Sequence, residues 1–329
     1  MLLDGLLMKR LHSKSGLLAA ILILLLQGNT FANTYDLPLD GSDVIGDIDY
    51  VYAKYEDTLS DIAREWGLGY KEIVRANPDV DPWLPGAGTK VILPSQFVLP
   101  QAPREGIVIN ISEMRLYYFP KPKRDEAPQV VTYPISVGRV DWSTPLGLTK
   151  IVRKRKDPTW IPPQSIRDEH EADGDPLPKV VPPGPDNPLG KFALNLSLPG
   201  YLIHGTNRPA GVGMQVTHGC IRLYPENIEA LFGLVEIGMK VRLVDQPYKV
   251  GWLDNQLFLE VHESLESATD VDRGVSRTPV VKAIIDATKQ REANIEWGKL
   301  SSIVDRADGM PVTISVGLAS ERKVVFLEE

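Results

Sequence analysis

The sequence predicts a multidomain α+β chain: a mainly β, sandwich-like central domain, with a small βααβ domain before it and a small α/β domain after it. Three observations carry this. The 329 residues leave room for two or three domains. The 27 Pro and 27 Gly favour short strands and long loops over helical bundles. Several short strand-patterned runs, separated by turn signals, fill the middle of the chain.

At 43% hydrophobic and 24% charged, the composition is that of a globular protein. A formal charge of -7 argues against general nucleic-acid binding, which normally needs a basic face. Nucleic acid is therefore not an expected partner.

Residues 1–32 read as a secretory signal. Lys9, Arg10 and Lys14 precede an apolar run, Gly16 to Leu26, that is short for a membrane span. Thr30 and Ala32 put small residues at the -3 and -1 positions, so cleavage is expected after Ala32; an uncleaved anchor is the alternative. The membrane is expected to matter only through this segment. With one Cys, no disulfide can close within the chain. An odd Cys in an exported protein is a candidate reactive thiol.

Residues 33–47 are polar and Pro-containing, and are expected to form a linker. From 48 to 94 the pattern is strand, helix, helix, strand. Asp49 to Ala53 alternates, and Asp57-Thr58 offers an N-cap before Leu59, Ile62, Ala63 and Trp66 at helical spacing. Gly67 stops that helix. Tyr70 to Ala76 forms a second helix, ended by Asn77-Pro78, and Val91 to Pro94 closes the unit after the turn Leu84-Pro85-Gly86.

The central domain is expected over 105–245. Ile107 to Asn110, Arg115 to Phe119, Gln129 to Val137, Leu148 to Val152, Phe192 to Leu196, Tyr201 to His204 and Lys240 to Val244 read as strands, and Glu226 to Phe232 as a short helix. Between Asp157 and Gly190 lies a long irregular stretch, stiffened by Pro162-Pro163 and Pro182 to Pro185 and carrying the run Asp168-Glu169-His170-Glu171. A loop of that length is either a cap over a cleft or a solvated insertion. In the C-terminal part, 250–329, Leu257 to Val261 reads as a strand. Val280, Val281, Ile284 and Ile285 make one helical face, Leu300, Ile303 and Val304 a second, and Val312, Ile314 and Val316 alternate. No catalytic constellation is visible there, and His262 reads as structural.

Chemistry concentrates in two pieces: His204-Gly205-Thr206, and Thr217-His218-Gly219-Cys220-Ile221-Arg222. They hold two of the five His and the only Cys. A thiolate is the attacking form of Cys, and a nearby imidazole is the usual means of generating it. His204 and Cys220 are 16 positions apart, enough for a strand, a Gly/Pro-rich excursion and a return. Gly219 removes a side chain beside the thiol, where backbone N–H groups could meet an oxyanion. Two other readings stay open: a three-ligand metal site of His204, His218 and Cys220, and a buried inert thiol.

The order His, spacer, Thr-His-Gly-Cys resembles the signature of L,D-transpeptidases with a YkuD-type catalytic domain. Ser136-Val137-Gly138, Thr144-Pro145-Leu146-Gly147 and Asn187-Pro188-Leu189-Gly190 are similar to loops of that family. Asp57-Thr58-Leu59, Ile62-Ala63, Asn77-Pro78 and Pro85-Gly86 resemble a LysM module, a peptidoglycan-binding fold; a plain structural cap is the alternative. The resemblance implies a periplasmic enzyme that needs no cofactor or metal. It implies that Cys220 is the nucleophile and His204 its base, oriented by a backbone carbonyl near Gly205. Gly219 and Cys220 would supply oxyanion N–H groups, Thr217 and His218 would support or line the site, and Arg222 would meet a substrate carboxylate or form an ion pair. The implied substrates are peptidoglycan stem peptides and glycan. The acyl acceptor would be another stem, an outer-membrane lipoprotein lysine, or water, the last making it an L,D-carboxypeptidase; a non-catalytic peptidoglycan-binding protein is the alternative of another class.

Overall fold

The computed structural model describes residues 33–122, 124, 126–139, 142–265 and 277–316. The expected signal, residues 1–32, lies outside them. No helix among the described residues is long and apolar enough to cross a membrane.

Residues 33–47 do not form a linker. They carry β1 (Asn33–Asp36) and β2 (Val44–Ile45). Isolated polar residues say little about strand pairing, because partner edges decide it. Here β1 pairs antiparallel with an edge of the central sheet, Asn33 opposite Thr132. Tyr35 packs edge-on against Phe97 and donates its hydroxyl to Ser95 O.

The next unit follows the expected order: β3 (Ile48–Tyr52), α1 (Leu59–Glu65), α2 (Tyr70–Ala76), β4 (Lys90–Pro94) and β5 (Phe97–Val98), the last paired with β2. Thr58 and Asp61 form a reciprocal capping box at the start of α1. Buried Asn77 staples α2 to β4: its amide donates to Ile73 O and Ile92 O, and its carbonyl accepts from Ile92 N. β3 and β4 pair antiparallel from Ile48–Pro94 to Tyr52–Lys90.

The central strands are β6 (Gly106–Asn110), β7 (Arg115–Phe119), β8 (Gln129–Pro134), β9 (Val137–Gly138), β10 (Gly147–Lys156), β11 (Phe192–Leu196), β12 (Leu202–His204), β13 (Gln215–Thr217), β14 (Ile221–Arg222) and β15 (Lys240–Val244). The mainly β character is as expected. The strands form one large sheet in place of two facing ones, because β15 pairs with both β6 and β10 and so joins the two halves. The resulting order is β1-β8-β7-β6-β15-β10-β11-β12-β14, nine strands, with β13 and β9 as a separate ribbon.

The sheet separates two cores by strand alternation. Ile107, Ile109, Leu116, Ile151, Leu194, Ile203 and Ile221 face one core, with Ile228 and Leu231 of the helix Pro225–Leu234. Val108, Tyr117, Phe119 and Val130 face the other, with Leu59, Ile73, Leu93 and Leu99 of the βααβ unit. Strands buried on both faces read as unbroken apolar runs, as β6 and β7 do.

The C-terminal part contains β16 (Tyr248–Leu253), β17 (Gln256–Val261), β18 (Asn294–Ile295), β19 (Val312–Thr313) and β20 (Ser315–Val316), with helices Thr278–Thr288 and Trp297–Arg306. Asp254 and Asn255, both at positive φ, turn the β16–β17 hairpin, as a two-residue loop requires. Val250, Trp252, Leu259, Ile284 and Ile303 belong to a third core.

A buried charge cluster fastens this part to the others. Lys249 Nζ lies 2.8 Å from Glu113, 2.7 Å from Glu260 and 2.7 Å from Val98 O. His262 Nε2 lies 2.6 Å from Glu260. Glu113, Glu260 and His262 have the spacing of metal ligands. The cation between the two carboxylates is already Lys249, which fits a structural role for His262.

Candidate active site

β12 lies between β11 and β14, with His204 opposite Ala193 on one side and Arg222 on the other. Ile203 and Ile221 are fully buried in the core beneath. Alternate residues point to opposite faces, so His204 and Arg222 project from the other face. Cys220, two residues before Arg222 and just ahead of β14, is half-buried, and its thiol lies 3.7 Å from Gly200 O. One row of residues thus runs Arg155, Ala193, His204, Arg222 across four strands.

The excursion from His204 to Cys220 turns through a short 3-10 segment, Pro209–Gly211, and returns along β13. It is anchored from outside the sheet: the carbonyls of Val212 and Gly213 accept from Tyr70 N and Lys71 N at 3.0 and 3.2 Å. These are first-turn amides of α2, which have no partner within the helix. The βααβ unit therefore holds the loop that sets the His204–Cys220 spacing.

Gly219 sits at φ +92°, and a Cβ there would lie 2.8 Å from the Tyr201 ring. Only glycine meets both conditions. Thr144 Oγ1 donates to Gly219 O at 2.9 Å and accepts from Gly138 N at 3.2 Å. Across a trans peptide, a fixed Gly219 carbonyl turns the Cys220 N–H to the opposite side. Buried Thr217 donates to Cys220 O at 2.6 Å and closes the turn around the thiol.

His204 Nδ1 lies 2.6 Å from Gly205 O. A carbonyl only accepts, so Nδ1 carries the proton and Nε2 keeps its lone pair. Burial pushes the His204 pKa down to about 3, helped by the cations Arg222 and Arg155 and opposed by the Gly205 bond. Burial also raises the Cys220 thiol, against a hydrogen bond at the Leu202 backbone and the charge of Arg222. Both shifts favour the uncharged forms, a thiol and a neutral imidazole.

His218 turns elsewhere. Its Nε2 donates to Glu169 at 2.8 Å, and Trp142 packs edge-on against its ring at 5.0 Å. Glu169 also accepts from Arg139 at 2.5 Å. His204, His218 and Cys220 do not form a ligand set; among the described residues only Glu113, Glu260 and His262 do. Arg222 is half-buried with an unpaired Nε, and no carboxylate meets it among the described residues.

The stretch from Asp157 to Gly190 is less irregular than expected. It contains α3, which follows the helices already given as α1 and α2, over Gln164–Ala172. Its only buried residue is Ile166, so no apolar stripe announced it. Pro163 just before its start was the available signal. Fully buried Asn187 fastens the far end of this stretch, donating to Pro158 O and Pro182 O and accepting from Leu189 N. Arg139, Trp142, Arg155 and Glu169 join the site without any local sequence motif.

The YkuD family, the L,D-transpeptidase catalytic domain, matches residues 104–243. The chain is 40% identical over 292 residues to the probable L,D-transpeptidase YcfS of Escherichia coli strain K12, covering 86% of this chain and 88% of that protein. It is 38% identical over 288 residues to the probable L,D-transpeptidase YbiS of the same strain, covering 86% and 92%. A crystal structure of L,D-transpeptidase 3 from Mycobacterium tuberculosis aligns with a TM-score of 0.31 at 20% identity, over 47% of this chain and 67% of that one. The chain belongs to the L,D-transpeptidase family.

Proposed function

We propose that the chain is an exported, periplasmic L,D-transpeptidase that acts on tetrapeptide stems of peptidoglycan through a thioester on Cys220. The state of His204 supports the reading: with Nδ1 committed to Gly205 O, Nε2 keeps its lone pair, and the pairing of β12 with β14 sets His204 opposite Arg222, two residues from Cys220. In the first step the Cys220 proton moves to His204 Nε2 as sulfur attacks the carbonyl of the third, diamino-acid residue. The oxyanion is met by N–H groups at Gly219 and Cys220. His204 then returns the proton to the nitrogen of the leaving D-alanine, and a thioester remains. In the second step an amine attacks the thioester, His204 takes its proton, and the thiol is restored. The amine is the side chain of another stem or a lipoprotein lysine.

Arg222, without a carboxylate of its own, fits a substrate carboxylate bidentately. Residues 1–32 serve as the signal, cleaved after Ala32. Residues 48–94 serve as a LysM-like module on the glycan, 105–245 as the catalytic domain, and 250–329 as an extension that the Lys249 cluster ties on. The test is D-alanine release from purified tetrapeptide muropeptides. Wild type releases it and Cys220→Ala does not; release retained by Cys220→Ala sinks the thiol mechanism. Mass spectrometry of the products tells transfer to an amine from hydrolysis.

A further inference from the structure

Two polar side chains from the loops around Cys220 converge on one carboxylate. Arg139 Nη2 lies 2.5 Å from one Glu169 oxygen, and His218 Nε2 lies 2.8 Å from the other. The donors are well placed. Arg139 N donates to Thr217 O at 2.9 Å, and Trp142 braces the His218 ring. Both belong to the loops that frame Cys220. The carboxylate belongs to α3, whose only apolar anchor is Ile166. Arg139 and His218 together hold the Glu169 carboxyl below its usual range.

This geometry is that of a two-point carboxylate receptor, filled from within by a helix that buries little of itself. We propose that Arg139 and His218 form a carboxylate-binding subsite of the cleft, which Glu169 occupies as an internal stand-in, so that α3 must let go before a carboxylate of the donor peptide can enter. The proposal rests on the stem-peptide reading above. Two carboxylates of a tetrapeptide stem flank the bond to be cut and are the candidates: that of the terminal D-alanine and the free one of the diamino acid. Arg222, whose Nε has no partner among the described residues, is a second cation near Cys220, so a donor with two carboxylates finds two receptors.

The test is equilibrium binding of tetrapeptide to the full-length Cys220→Ala protein, alone and combined with Glu169→Gln or Arg139→Met. Three donors are compared: free, amidated at D-alanine, and amidated at the diamino acid. Glu169→Gln keeps the helix shape and removes the competing charge. It is expected to tighten binding of the free donor about three- to tenfold, and Arg139→Met to weaken it at least as much. Amidation of one of the two positions is expected to abolish both effects, and that position names the carboxylate received. Binding that Glu169→Gln leaves unchanged or weakens overturns the proposal, as does an Arg139→Met loss that both amidated donors share. D-alanine release by wild type is measured alongside. If release persists and the affinities do not respond, only the subsite fails; if wild type releases none, the stem-peptide reading fails.

Discussion

At the scale of single residues, the decisive contrast is between two histidines that look alike in the sequence. His218 adjoins the Gly-Cys pair, yet its Nε2 is spent on Glu169. His204 is sixteen positions from Cys220 in sequence, yet strand pairing sets it opposite Arg222, two residues from the thiol, with Nδ1 committed to Gly205 O. The sign of its shift matters for pH. With a pKa pushed down to about 3, His204 stays neutral, and so able to take a proton, far below the 6.5 of an ordinary histidine. Acylation by a carbapenem is therefore expected to show no acid limb between pH 8 and 5, measured as the rate of mass increase. A limb near 6.5 would show that the working imidazole is an ordinary, solvated one. The same shift costs stability in acid. The unfolded chain takes up a proton below 6.5 that buried His204 refuses, so its contribution fades as pH falls from there toward 3.

At the scale of elements, the motifs with strong local physics were legible and those made by pairing were not. The N-cap at Thr58, the stop at Gly67 and the helix ended by Asn77 stand where the sequence puts them. Asn77 does more than end a helix, since its amide group satisfies three backbone partners on α2 and β4. Asn77→Ala leaves those groups buried and unpaired, and is expected to cost about 2–4 kcal/mol in denaturant unfolding. β1 was missed because Asn33 to Asp36 has no apolar alternation, and its strand state is supplied by the edge of β8. α3 was missed because its surface is charged almost all round and its attachment is a carboxylate. The thiol motif is legible as a local run, in which Thr217 bonds the carbonyl of Cys220 three residues on. Arg139, Trp142 and Arg155 were not, since only the folded sheet brings them near.

At the scale of the molecule, the catalytic strands are supported by both neighbours. The βααβ unit packs on the second face of the sheet, is tied to it by the bidentate Arg115–Glu72 pair, and holds the excursion loop through Tyr70 and Lys71. The C-terminal part is fastened through Lys249, Glu113 and Glu260. Single-sequence reading finds each of these units from its own periodicity. It does not find the charges between them, because a buried Lys or Glu in a strand looks like a solvated one until its partner is in place. In the proposed mechanism Cys220 is activated by His204 and not by its neighbour His218. The most direct measurement is the single-turnover rate of acyl-enzyme formation with a saturating tetrapeptide stem at pH 7, read by intact mass. His204→Ala is expected to lose about a hundredfold or more, in line with the removal of a general base, and His218→Ala less than about tenfold. The reverse order, with His218→Ala the slower of the two, would contradict the account.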